Sequence, residues 1–143
     1  MRPEPGHAVA ITVIAAATWL FVGSLIGAVL LRATAQWVMR LKIEFWSAYG
    51  TVFYANLVNL GIAFVTGVTL RVGLPKYPGV FVLAELGLVF VYFLVTTVFV
   101  RTWQKMTLLH AMLVCLCMYW MAIFIIAVVG ATVWRVLLWV GLL

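Results

Sequence analysis

The chain has 143 residues, of which 68% are hydrophobic and 8% charged, with nine Lys and Arg against three Asp and Glu for a formal charge of +6. With a mean hydropathy of +1.26, it lies beyond the range of water-soluble domains of this size, and the composition is that of an integral membrane protein. The positive charge does not argue for nucleic acid, because the basic residues (Arg2, Arg32, Arg40, Lys42, Arg71, Lys76, Arg101, Lys105, Arg135) never form a block and instead flank apolar runs.

Crossing about 30 Å of hydrocarbon takes roughly 20 helical residues. Four runs meet that length, at residues 8–31, 45–70, 80–100 and 108–133. Lipid offers no hydrogen bonds, so each span is expected to be helical. None of the runs shows the alternation of barrel strands. The predicted fold is an all-α membrane protein, a four-transmembrane-helix up-and-down bundle forming one integral membrane domain over residues 1–143.

The first run is too long for the h-region of a secretion signal, about 7–15 residues, and is read as an uncleaved span. Gly23 and Gly27 form a G-x-x-x-G, a spacing that lets helix backbones approach closely. In the connector 32–44, Arg32, Gln36 and Arg40 recur every four residues, beside a stripe of Ala33, Trp37 and Leu41. This pattern predicts a short amphipathic helix at the interface, anchored by Trp37 and Trp46.

The second span carries Ala55, Asn59, Ala63 and Gly67 at four-residue intervals, a further packing face. Asn56 and Asn59 fall near mid-bilayer, where an unsatisfied amide is costly, so both are expected to face other helices. Depth counting puts Thr18, Thr96, Thr97 and Tyr119 at comparable levels, which predicts a polar middle layer. Residues 71–79, with two prolines and two glycines, predict a turn, with Tyr77 at the interface.

Glu85, in the third span, is the one acidic residue inside a span. It lies about 9 Å into the bundle by helical rise, within reach of Lys76 and Arg71. Either it is a protonatable carboxylate in a transport path or it is locally paired at the interface, and the second reading is preferred. The link 101–105 is short, with Trp103 as its anchor. Cys115 and Cys117, two apart on the fourth span, point to nearly opposite faces and can neither pair nor share a metal. His7 and His110 lie on opposite membrane faces and cannot hold one haem or metal within a monomer. A fourth helix unbroken from Met106 to Leu143 would be about 57 Å long, so a bend is expected between Gly130 and Arg135, at the interfacial Trp134 and Arg135. The apolar tail 134–143 is then expected to dip back or to pack against a partner.

Sliding the chain against itself by 63 residues aligns Lys42 with Lys105, Ala48 with Ala111, Ile62 with Ile125, Val65 with Val128, Gly67 with Gly130 and Thr69 with Thr132. On that offset the bundle is two repeated helical hairpins in the same orientation. Basic residues divide five to four between the two faces, leaning toward cytoplasmic connectors one and three. The expected location is the inner membrane of a bacterium.

The segment from Phe53 to Arg101, with its asparagines, Pro/Gly turn and Phe93 to Phe99 ending, loosely resembles small four-span proteins associated with flipping polyprenyl-linked sugars. Gly27-Ala28 with Arg32, then Gly50-Thr51 with Asn56, is similar in order to bacterial fluoride channels, although the spacings differ. Small multidrug exporters are similar in size, but their essential Glu lies in the first span, where this chain has none. No family is assigned on these likenesses.

No Ser/His/Asp set, paired carboxylates or phosphate-cradling loop is present, so an enzyme is not expected, nor is a cofactor or metal. The expected function is that of a membrane accessory or scaffolding subunit, its partners the bilayer and other membrane subunits or further copies of itself. The alternative is a small oligomeric transporter, channel or lipid-linked-substrate flippase that uses Glu85, Asn56 and Asn59.

Overall fold

The computed structural model describes residues 5–73 and 78–140, with side chains described over 10–69 and 83–139. They form four helices: α1 (Pro5–Met39), α2 (Phe45–Gly73), α3 (Pro78–Trp103) and α4 (Leu108–Val140). All four are long and apolar enough to cross a membrane. α1 packs against α2 and α4, and α3 against the same two, so the helices stand in a ring as an all-α bundle. The links 40–44 and 104–107 share one face of the bundle. Pro5, Gly73, Pro78 and Val140 mark the other.

Connector one departs from the expected interfacial helix. Its first half simply continues α1 to Met39, and only residues 40–44 are non-helical. The cause is packing: Leu31, Thr34 and Ala35 are fully buried, and their shared face lies on the side of the helix opposite the two stripes read from the sequence, whose residues are exposed. The chain stops at Arg40, whose φ of 54° is left-handed. Arg40 N–H donates to the Gln36 carbonyl at 3.0 Å and Leu41 N–H to Ala35 at 3.3 Å, satisfying carbonyls that a helix end leaves open. Arg32 folds back, its Nε donating to the Ile43 carbonyl at 2.9 Å and its guanidinium lying 5.9 Å from the Phe45 ring centroid. The second link ends in the same way. Lys105 has φ 51°, and Met106 N–H reaches the Arg101 carbonyl at 3.1 Å.

The predicted Pro/Gly turn is shorter than read, since α2 runs to Gly73 and α3 starts at Pro78; Lys76 and Tyr77 lie outside the described residues. The break expected between Gly130 and Arg135 does not occur. α4 is continuous for 33 residues, about 50 Å of helix. Leaving the helix in an apolar setting would strand backbone groups without partners, and a lone glycine does not outweigh that cost.

The core sits at the linked end. Ala28, Ala35, Ala48, Ala55 and Ala111 are fully buried there, small enough to let the helices close on Leu31, Val100 and Val114. Toward the other face the helices present their side chains outward: Ile11 and Ile14 of α1, Phe64 and Val65 of α2, Leu83 of α3 and Phe124 and Ile126 of α4 are all exposed.

Burial recurs along the chain. Ala48, Thr51, Val52 and Ala55 are buried on α2, and Ala111, Val114, Cys115 and Met118, each 63 positions later, are buried on α4. The odd helices do not follow that offset. Ser24 and Ala28 of α1 correspond to Thr96 and Val100 of α3, also buried, at 96 − 24 = 72 and 100 − 28 = 72. The nine-residue difference lies mainly in α1, which runs 11 residues past Ala28 to Met39 while α3 runs 3 past Val100 to Trp103; the link 40–44 adds one more than 104–107, so a single offset misses half of the likeness.

Candidate functional site

Two interhelical polar pairs meet in the middle of the bundle. Asn56 Nδ2 of α2 donates to Ser24 Oγ of α1 at 3.1 Å. In the other hairpin Tyr119 of α4 and Thr96 of α3 lie 3.3 Å apart, oxygen to oxygen. Thr96 Oγ1 already donates to the Tyr92 carbonyl at 2.8 Å, so in this pair Tyr119 is the donor. Asn56 and Tyr119 are equivalent positions under the 63-residue offset, and each is eleven residues into its helix, about 16 Å from the linked face. At this level a side-chain hydrogen bond thus ties the second helix of each hairpin to its first.

Asn56, Thr96 and Tyr119 of these pairs border a cavity of about 270 Å³. Its walls are apolar: Trp19, Ile26 and Leu30 come from α1, and Met118, Ala122 and Ile126 from α4. Gly23 and Gly27 widen the α1 side, Val52 and Asn56 come from α2, and Thr96 from α3. The exposure of Trp19, Ile26, Ile125 and Ile126 shows that the cavity opens between α1 and α4, toward the surroundings of the bundle.

The residues singled out from the sequence are dispersed. Asn56 borders the cavity. Asn59, a turn further along, is half-buried and its Oδ1 is enclosed without a hydrogen-bond partner. Glu85 is exposed on α3, away from both pairs; Lys76 and the side chain of Arg71, its expected partners, lie outside the described residues. Of the polar layer, Thr96 and Thr97 are buried. Thr97 Oγ1 donates to its own helix, to the Phe93 carbonyl at 2.8 Å. Thr18 is exposed.

The small residues divide in the same way. A Cβ on Gly27 would lie 2.7 Å from Val52 Cγ1, so α1 and α2 touch there. Gly23 has only Trp19 of its own helix within reach, at 3.8 Å, and Gly67 has nothing within 4 Å, so the close approach expected along both stripes is confined to the linked end. Ala63 is half-buried.

Trp37 and Trp46 are exposed beside the first link. Trp103 is more than an anchor. It lies against Gly50, where a Cβ would come within 2.9 Å of its ring, and its centroid is 5.1 Å from that of Tyr54. Trp134 and Arg135 are exposed near the other face. Among the described residues no group of three or more His, Cys, Asp or Glu gathers as a metal site. His110 helps start α4: Thr107 precedes the helix and its Oγ1 pairs with His110 Nδ1 at 2.6 Å. The His7 side chain lies outside the described residues. Cys115 is buried, Cys117 is half-buried and both are free.

Sequence reasoning missed two features. Ser24, the partner of Asn56, is an inconspicuous serine between the two glycines of the G-x-x-x-G. Gln104 was passed over as a polar link residue, yet its Nε2 donates to Thr51 Oγ1 at 2.8 Å and Ser47 Oγ at 3.1 Å, fastening the second link to α2. The one signal available was that Ser47 and Thr51 lie four apart on one face of α2, which left a pair of hydroxyls in need of a partner. No protein-family model, curated protein or solved structure matches the chain.

Proposed function

We propose that this chain is a non-catalytic, multi-pass membrane protein that serves as an accessory or scaffolding subunit, seated in the inner membrane of a bacterium with its two basic links in the cytoplasm. The observation that carries this reading is the distal part of α4. Residues 123–136 are exposed throughout, and beyond Arg135 the helix continues with Leu138 and Trp139, the latter 89% exposed. If Leu108 marks one boundary of the hydrocarbon, roughly 20 residues bring α4 to the other, and Trp139 projects past it. Apolar surface outside hydrocarbon costs about 25 cal/mol per Å² when wetted, so a neighbouring protein is the better cover. Deleting residues 136–143 is expected to leave the bundle inserted and to weaken its association with the proteins that co-purify in mild detergent. Undiminished partners after truncation, or a monomer both before and after it, would sink the reading.

A second reading, a small oligomeric transporter, draws support from the cavity that Asn56 borders. Glu85 takes no part in that cavity within one chain, so a path using it needs a second copy. Glu85→Gln is expected to leave assembly and any transport nearly intact. Loss of a pH-dependent flux in that variant, with folding preserved, would favour the transporter over the subunit.

A further inference from the structure

We propose that the cavity between α1 and α4 is a binding site for a neutral lipid whose polar part is no larger than a hydroxyl group, with its chain passing out between the two helices. The inference concerns occupancy of this cavity alone and does not rest on the subunit reading. Three observations select the ligand.

The first is the mouth. It is flanked by Trp19 and Ile126, both about two-thirds exposed, and counting helical rise from the linked face places them roughly 27–30 Å along the bundle axis. The cavity floor at Asn56 and Tyr119 is about 16 Å along. The mouth extends inward from there to Ile26, about half exposed and roughly 20 Å along, so a ligand arrives sideways from the part of the hydrocarbon that borders the face opposite the links.

The second is charge. No ionisable group other than the Tyr119 phenol lines the cavity, so nothing there would compensate a phosphate or an ammonium, and burying either unpaired is prohibitive. Diacyl phospholipid headgroups are thereby excluded.

The third is the hydrogen-bond inventory of the floor. Asn56 commits one N–H to Ser24 and retains a second N–H and its carbonyl. Tyr119 commits its proton to Thr96 and retains acceptor capacity on its oxygen. One donor and two acceptors bordering one cavity of about 270 Å³ suit a hydroxyl, which both donates and accepts; a plain alkyl chain would leave them idle.

The test uses the full-length protein in phosphatidylcholine vesicles with two diazirine-bearing probes of equal length, a long-chain alcohol and the corresponding alkane. The alcohol is expected to label α1 and α4 at the cavity in preference to the alkane by about fivefold, the worth of one net hydrogen bond. Tyr119→Phe, which keeps the ring and removes the hydroxyl, is expected to reduce that preference. Ala122→Trp, which fills the cavity, is expected to abolish labelling there by both probes. If that variant does not insert, Gly23→Leu serves instead, because its side chain enters from the α1 wall, where only Trp19 is near. Equal labelling by alcohol and alkane would overturn the proposal. So would labelling spread evenly over outward positions such as Phe64, or labelling that survives a filled cavity.

Discussion

Gly27 and Gly67 are the same residue type in the same kind of helix, yet their surroundings assign them opposite tolerances. At Gly27 a methyl group would press on Val52 Cγ1 at 2.7 Å, and Val52 is buried, with only the neighbouring cavity to turn toward. Gly27→Ala is therefore expected to destabilise the bundle by about 1–3 kcal/mol, the usual cost of overpacking. Val52→Ala in the same chain is expected to recover part of the loss, a coupling that a double-mutant cycle in mixed micelles would detect. Additive effects would mean that the two side chains do not meet. Gly67→Ala, with open space around it, is expected to be neutral or slightly stabilising through the unfolded chain. The sequence marked all these glycines as packing positions because it shows where a small residue is, not whether a partner helix comes near it.

At the scale of elements, the links decide how the helices are held. Both end a helix with a basic residue in the left-handed region, where glycine or asparagine is the usual choice. Lys105→Gly is expected to stabilise the protein by about 1 kcal/mol by relieving that conformation. Lys105→Ala removes the same charge but keeps the backbone penalty, so it should bring no such gain. Equal unfolding midpoints for the two variants would show that charge, rather than φ, matters there. Gln104 supplies the other restraint. Gln104→Leu removes donors to Ser47 and Thr51, the latter fully buried, and is expected to cost about 1–2 kcal/mol in the same assay. An unchanged midpoint would mean that α2 does not depend on this link.

Over the whole molecule, four helices joined in a ring by short links place residues 40–44 and 104–107 on one face and both ends of the described chain on the other. With Cys115 and Cys117 replaced by alanine, single cysteines at His7 and Lys76 are expected to react with an impermeant reagent from one side of the membrane. Cysteines at Arg40 and Lys105 should react from the opposite side. Labelling of His7 and Lys76 from opposite sides would contradict the four-span topology. The same layout gives the molecule a fastened end and an open end. The polar pairs Asn56–Ser24 and Tyr119–Thr96 lie at the boundary between them, with the cavity beside them.

Hydrophobic run lengths and the absence of internal hydrogen-bond partners in lipid were enough to read four spanning helices and their up-and-down order from the sequence. They also identified Asn56 as a residue obliged to face its neighbours, because those properties depend on local composition. The 63-residue offset was legible for the same reason, but only in the even helices; the 72-residue offset between α1 and α3 is hidden by about two extra turns at the end of α1 and shows only in which faces are buried. Small-residue stripes run along both halves of the bundle, so composition could not tell which half closes. Tertiary structure decided that through the links: Arg32 on Ile43, Gln104 on Ser47 and Thr51, and Trp103 on Gly50 hold the helices together at one end. Whether a glycine is a contact, a serine a partner or a tail unsupported depends on what stands opposite it, and that is a property of the assembled helices.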